Sequence, residues 1–199
     1  MKSRPIGFAV AVAALAVVGL LQAAARQDAK PPSASGQEPG MPMPQPTPFH
    51  KYLSEQAGTW DALVKSTVPG SPPAEDKGTE TIAMMSGLWQ LTDFKGNFGG
   101  TPFVGHGVTG YDSAKKKYVG TWVDSMTDKL IVMEGTADAG GKVLTMTYEQ
   151  ADPASGQLTR YRQVHEMQDS DTRTFTMSQV GADGKDVPLL TITYKRRKS

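Results

Sequence analysis

The sequence predicts an all-β fold, an antiparallel meander β-barrel of about ten strands with one short N-terminal helix. Two observations indicate this fold. After residue 58 the chain runs through short segments in which apolar and polar residues alternate, the period of a half-buried strand. Clusters of Gly, Pro, Asp and Ser separate the segments, and no helical pattern lies between them. A meander of this length would expose two edges, so we expect it to curl and close.

An export signal is predicted over residues 1–25. Lys2 and Arg4 precede an apolar run over residues 6–21, and three alanines at 23–25 offer a cleavage site after Ala25. The run is shorter than the roughly 20 residues of a spanning helix, so an uncleaved anchor is the weaker alternative. Without cysteine the chain cannot be a diacylated lipoprotein or form disulfides. We therefore expect an exported protein, periplasmic or secreted, with no stable membrane span after cleavage.

Residues 26–48 are rich in proline and poor in branched apolar side chains. Such a segment buries too little surface to offset its ordering entropy. It is predicted to be a disordered linker, and the folded domain to occupy residues 49–199. The linker is interpreted as a spacer, with contact to a partner as the alternative.

The domain begins with a predicted helix over residues 47–57. Pro48 suits a first helical position, and Phe49, Tyr52 and Leu53 follow at helical spacing. Gly58 ends this pattern. Ten strands are predicted after it, over residues 59–67, 78–85, 88–98, 103–111, 117–124, 129–136, 143–150, 158–167, 172–180 and 188–196.

The charge balance argues against a nucleic-acid partner. Lys2 and Arg4 are the only charged residues in the first 25, so the mature chain would carry 19 basic and 20 acidic residues. Polyanion-binding proteins usually have a basic excess on one face, whereas the one dense basic cluster here is the end of the chain, residues 195–198.

Two motif matches lack the structural context that their chemistry needs. Residues 105–110, Gly-His-Gly-Val-Thr-Gly, match the dinucleotide fingerprint, but a turn and a strand follow instead of a helix. Their glycines are interpreted as sites where the strand bends. The Ser-x-x-Lys at residues 113–116 falls in a turn, where the lysine cannot reach the hydroxyl. The sequence therefore predicts no cofactor and no catalytic serine.

Five residues are candidates for metal binding or for acid–base chemistry. His50, His106 and His165 lack the close ligand spacing of zinc sites, so no metal site is predicted. Asp124 shares a strand face with Trp122, and Glu134 lies in the next strand. If both carboxylates point inward, they could do acid and base work. An envelope enzyme that acts through these carboxylates or a histidine is therefore an alternative.

Methionine gives the clearest pointer to a ligand. Its flexible thioether adapts to varied apolar shapes, although methionine also fills irregular cores. With the aromatic residues, it suggests a cavity for a small apolar molecule. The predicted ligand-binding residues are Trp60, Trp89, Trp122, Asp124, Met133, Glu134, Met146 and Met177.

The residues Gly58-Thr59-Trp60 resemble the Gly-x-Trp element that opens the first strand of lipocalins. That resemblance implies that Arg196 or Arg197 at the end of the last strand stacks on Trp60 and closes one end of the barrel. Over residues 49–197 the chain resembles the bacterial family called domain of unknown function 1579, which implies a calycin-like barrel and no known activity. This likeness lies in residues 50–53, 58–60, 69–70, 87–89, 102–105, 107–112, 117–119, 122–125 and 194–197.

The sequence thus favours an exported, non-catalytic barrel that binds a small apolar ligand. An envelope enzyme and a structural or interaction module are the alternatives. The oligomeric state is left open.

Overall fold

The computed structural model describes residues 43–151 and 156–198. The predicted signal peptide and most of the predicted linker lie outside the described residues. A 3-10 turn, Pro48–His50, leads directly into helix α1, Lys51–Glu55. Ten strands follow: β1 Gly58–Ser66, β2 Ala74–Met85, β3 Trp89–Phe98, β4 Thr101–Asp112, β5 Lys117–Asp124, β6 Ile131–Ala137, β7 Val143–Ala151, β8 Leu158–Met167, β9 Thr172–Val180 and β10 Asp186–Arg196.

The ten strands form one closed antiparallel barrel. Each strand pairs with its neighbours in the chain, and β10 pairs with β1, where Trp60 lies opposite Arg196. The predicted meander barrel is confirmed. Closure gives every strand in the ring a neighbour on both sides and leaves no free edge strand. Helix α1 and the turns after β2, β4, β6 and β8 lie at one end, called the helix end, and the turns after the odd-numbered strands surround the other, called the mouth.

The helical segment is shorter than the predicted 47–57. Thr47 precedes a 3-10 turn, and its amide donates to Nδ1 of His50 over 2.9 Å. The α-helix itself has only five residues. Such a short helix has little stability of its own and depends on tertiary packing. Tyr52 and Leu53 supply that packing, since both are buried in the core at this end of the barrel.

Strand lengths depart from the prediction mainly at the turns. β2 begins at Ala74, four residues earlier than predicted, and β10 begins at Asp186. In β10 the register shifts between Pro188 and Leu190, a bulge that accommodates a residue without an amide hydrogen. β6 is weakly paired: four of its residues pair with β7 and five with β5, whereas ten pairs join β3 and β4.

Three glycines of β4 make room for tryptophan rings. A Cβ atom at Gly105 would lie 2.2 Å from the ring of Trp122, and one at Gly107 would lie 2.9 Å from the same ring. A Cβ at Gly110 would lie 2.4 Å from the ring of Trp89. Any side chain at these positions would displace an indole. The interpretation of the glycines as bending points stays a prediction.

Two clusters of buried side chains fill part of the barrel. The first joins the helix to β5, β6 and β7 through Tyr52, Leu53, Tyr118, Met133, Leu144, Met146 and Tyr148. The second lies around β1 and β10 and includes Trp60, Val64, Ile82, Phe94, Ile192 and Tyr194. Within the described residues, no helix has both the length and the apolar character that crossing a bilayer requires.

Candidate functional site

A cavity of about 360 Å³ extends along the barrel interior between the two ends. Its volume is in the range of small-molecule sites. Residues that alternate along each strand point into it, so every strand contributes to the lining. Its apolar lining consists mainly of Val64, Ile82, Phe94, Phe98, Phe103, Trp122, Met126, Ile131, Met133, Leu144, Met146, Phe175, Met177, Leu190 and Ile192.

The helix end is sealed around Trp60, which is fully buried. The Trp60 indole nitrogen donates to the Gln56 carbonyl over 2.8 Å, which ties the strand to the helix. The guanidinium of Arg196 lies 4.1 Å from the centre of the Trp60 ring and donates to the Ala57 carbonyl over 2.6 Å. This is the stacking that the lipocalin resemblance implied for Arg196. Arg197 points elsewhere, to the carboxylate of Asp61.

Gly58 makes the approach of Arg196 feasible. It has a φ angle of +130°, and a Cβ there would lie 2.8 Å from Nη1 of Arg196. The glycine is therefore needed both for its backbone conformation and for the space it leaves.

Beneath this seal lies a charged cluster that sequence reasoning missed. Arg173 and Glu80 are both buried and form an ion pair. The Tyr194 hydroxyl donates to Oε2 of Glu80 over 3.0 Å, and the Arg173 guanidinium lies 3.7 Å from the centre of the Tyr194 ring. Burial and the Glu80 carboxylate raise the pKa of Tyr194 well above its usual value, so it remains a donor. All three side chains line the cavity.

Further polar side chains complete this region, which we call the polar floor: Gln56, Glu80, Gln90, His165, Arg173 and Tyr194. Gln90 donates to the Leu53 carbonyl over 3.2 Å and so ties β3 to the helix. Gln56, at the end of the helix, donates to the Tyr52 carbonyl over 3.2 Å within the same helical segment. Burial and the nearby Arg173 lower the pKa of His165 to about 3. His165 is therefore an uncharged group at neutral pH.

One donor on the polar floor is unpaired. The Nε atom of Arg173 is buried and has no hydrogen-bond partner among the described residues. The aromatic faces of Trp60 and Tyr194 contact the guanidinium but provide no oxygen acceptor. A buried donor in this state carries an uncompensated desolvation cost.

The mouth has a different composition. The Trp122 indole nitrogen donates to Oδ2 of Asp124 over 3.0 Å, and Oδ1 of Asp124 accepts from the amide of Met126 over 2.9 Å. These three residues line the cavity together with Phe98, the last residue of β3, and Phe103 near the start of β4. Met126 is about half exposed, so the apolar lining continues to the surface.

The predicted methionines lie between these two ends. Met133, Met146 and Met177 all line the cavity, with Met146 almost completely buried. The Tyr148 hydroxyl lies 3.5 Å from the sulfur of Met177, and Tyr148 stacks on Tyr161 with 5.0 Å between ring centres. The middle of the cavity is therefore lined by thioether and aromatic groups.

Two predicted site residues lie outside the cavity. Glu134 accepts from Lys115 at 2.5 Å and from Lys117 at 3.1 Å on the outer surface, and these hydrogen bonds lower the pKa of its carboxyl. Trp89 packs on the outer face against Gly110 and is 36% exposed. Glu134 was named as a ligand-binding residue, and the structure places it outside the cavity, because adjacent strand residues alternate and Met133 occupies the inner face. The condition for an inward-facing carboxylate pair is therefore not met.

The histidines have three separate environments. His50 belongs to the turn before the helix, and Nδ1 of His106 lies 2.9 Å from the Asp93 carboxylate on the surface. His165 alone lines the cavity. Within the part of the chain that the structure describes, no three His, Asp or Glu side chains are grouped as metal ligands would be.

The fold and the interior define a class: a closed ten-stranded antiparallel barrel, sealed by a helix at one end and enclosing a cavity. The chain belongs to the family described as protein of unknown function (DUF1579), whose profile matches residues 45–196. The resemblance stated from the sequence is thereby confirmed. No curated protein matches the sequence at a significant level.

Solved structures share the barrel. The chain is similar to Rv2717c from M. tuberculosis, with a TM-score of 0.59 and 13% identity over 77% of this chain and 100% of that one. It is also similar to the S-type phycobiliprotein lyase CPES from Guillardia theta, with a TM-score of 0.51 and 15% identity over 75% of this chain and 92% of that one. At these identities the likeness concerns the fold alone.

Proposed function

We propose that this protein is a non-catalytic carrier that binds one small, largely apolar molecule inside the barrel. The observation that carries the proposal is the cavity of about 360 Å³, lined by methionine and aromatic side chains and continuous with the mouth. Burial of apolar ligand surface there would supply the binding free energy.

The distribution of side chains supports binding over catalysis. The barrel wall separates the two carboxylates of the enzyme alternative, since Asp124 lies inside and Glu134 lies outside. Both oxygens of Asp124 accept hydrogen bonds from the protein itself. Asp124 therefore serves to fix Trp122 and the following turn.

The cellular location of the protein is also part of the proposal. The signal-like residues 1–25 favour export to the periplasm or the medium, where the barrel would hold its ligand away from water.

Nile red, an uncharged apolar dye, provides a direct test. We expect saturable, one-to-one binding with a blue-shifted emission by the purified protein. Thr92 lines the cavity, and Thr81 lies on the exposed outer face of the neighbouring strand. Thr92→Phe should fill the cavity and weaken dye binding at least tenfold.

Thr81→Phe is the matched control, because it adds the same ring to the outer surface. It should bind the dye as the wild type does. Equal binding by both variants, or no saturable binding by the wild type, would refute the proposed function.

A further inference from the structure

The charges around the cavity indicate what kind of ligand head group it accepts. This inference rests on the proposed function and adds the chemical class of the ligand. Among the described residues that line the cavity, Arg173 is the one cation, and Glu80 and Asp124 are the two carboxylates. The lining thus has a formal charge of −1 when the other lining groups are neutral.

The positive charge of Arg173 is already compensated. It pairs with Glu80, and both side chains are more than nine-tenths buried. A second anion on the floor would compete with Glu80 for one guanidinium and would itself be desolvated. Burying such an uncompensated charge is strongly unfavourable.

No other group on the floor offers a positive charge. The lowered pKa keeps the His165 ring neutral above about pH 3. The remaining floor residues with polar heads, Gln56, Gln90 and Tyr194, are uncharged hydrogen-bonding groups. The floor is therefore polar and electrically neutral.

Hydrogen-bonding capacity is nonetheless available there. The Nε donor of Arg173 has no partner within the described part of the chain. An oxygen acceptor that reaches the floor would satisfy this donor after a small shift of the side chain. The methionine and aromatic wall above the floor suits an apolar tail that extends toward Met126 and Phe103 at the mouth.

From these observations we infer that the cavity selects an amphiphile with an uncharged oxygen head group, such as an alcohol, ketone or ester. The head lies on the polar floor and the apolar tail points to the mouth. The buried Glu80–Arg173 pair is the specificity determinant, because it neutralises the cation that would otherwise attract carboxylates.

Competition with bound Nile red at pH 8 tests the selection, using 1-decanol and decanoate, which share one chain length. For the wild type we expect 1-decanol to displace the dye at a concentration at least tenfold lower than decanoate. Glu80→Gln leaves Arg173 uncompensated while preserving the shape of the side chain. It should raise the affinity for decanoate relative to 1-decanol at least tenfold.

Glu134→Gln is the matched control, since it makes the same change outside the barrel. It should leave the ratio of the two affinities unchanged.

Preference of the wild type for decanoate, or an unchanged ratio in folded Glu80→Gln, would overturn the inference. If Glu80→Gln does not fold, equal affinity of the wild type for 1-decanol and decanoate would overturn it. These outcomes leave the proposed function intact as long as Nile red binds and Thr92→Phe weakens its binding at least tenfold. Absence of Nile red binding would instead refute the proposed function itself.

Discussion

At the helix end of the barrel, the polar side chains that enter the interior mostly bind other parts of the protein. At the mouth, aromatic and methionine side chains lie beside Asp124, and the lining is partly open to water. Arg196, Gln90 and Trp60 tie strands to the helical segment through its carbonyl groups. Met126 at the mouth is half exposed. The difference indicates that stability is concentrated at the helix end and that ligand entry belongs to the mouth.

The largest expected effect is at the buried ion pair. Arg173→Met leaves the Glu80 carboxylate buried without its partner, so we expect a loss of about 3–5 kcal/mol in the free energy of unfolding. Chemical denaturation monitored by circular dichroism would measure it. Arg162→Met is the control, because the Arg162–Asp186 pair is about one-third exposed and should contribute at most about 1 kcal/mol. Similar losses in the two variants would contradict the proposed contrast.

Two glycines with positive φ angles, one at each end of the barrel, allow the stability cost of a substitution to be compared between the ends. Gly58→Ala should cost about 2–3 kcal/mol, because the new Cβ is strained at φ +130° and lies against Arg196. Gly99 in the turn at the mouth has φ +57° and open space around its Cβ position, so Gly99→Ala should cost about 1 kcal/mol. Thermal unfolding of both variants measures the difference. A larger loss at Gly99 would show that the mouth is the more constrained end.

Acid stability should depend on His165. Its pKa of about 3 in the folded barrel lies below the usual 6.5, so the unfolded chain binds one more proton between these values. The contribution is fully present above pH 6.5 and is lost as the pH falls toward 3, by about 1.4 kcal/mol per pH unit. His165→Gln should therefore lose about 2 kcal/mol less stability than the wild type between pH 6.5 and 5.

Denaturation at a series of pH values provides the measurement for that comparison. His106→Gln, on the outer surface, should follow the wild-type curve. If His165→Gln and the wild type lose stability in parallel, His165 is accessible to protons in the folded protein.

The smallest expected effect on stability is at the rim of the mouth. Met126→Ser should change the free energy of unfolding by less than about 0.5 kcal/mol, since exposed positions contribute little. It should nevertheless weaken Nile red binding a few-fold, because Met126 belongs to the apolar lining. A large loss of stability in this variant would remove the distinction between the two ends.

Much of the fold could be predicted because strand alternation and turn residues are local signals. The ten strands and their order follow from them, and the boundaries of β5, β8 and β9 match the prediction. The early start of β2 could not be predicted, since residues 74–77 lack apolar alternation and are held in the sheet by pairing with β1.

The site was predicted less completely: Glu134 was wrongly included and Arg173 was missed. Strand alternation explains both errors. Met133 and Glu134 were both assigned to the ligand site, although neighbouring strand residues face opposite sides. The same rule could have found Arg173, which shares its strand face with Phe175 and Met177. The pairing of Arg173 with Glu80 could not be predicted, because it joins residues 93 positions apart through the closed barrel.

The sparse pairing of β6 has a consequence for the motion of the barrel wall. Few backbone hydrogen bonds hold this strand to β7, and local opening needs the least free energy where such bonds are few. In hydrogen–deuterium exchange, the amides of Ile131–Ala137 should therefore exchange sooner than those of Trp89–Phe98, which are paired along their whole length. The side of the barrel that carries Ile131 and Met133 would then open first when a bulky ligand binds, while the opposite side keeps its conformation.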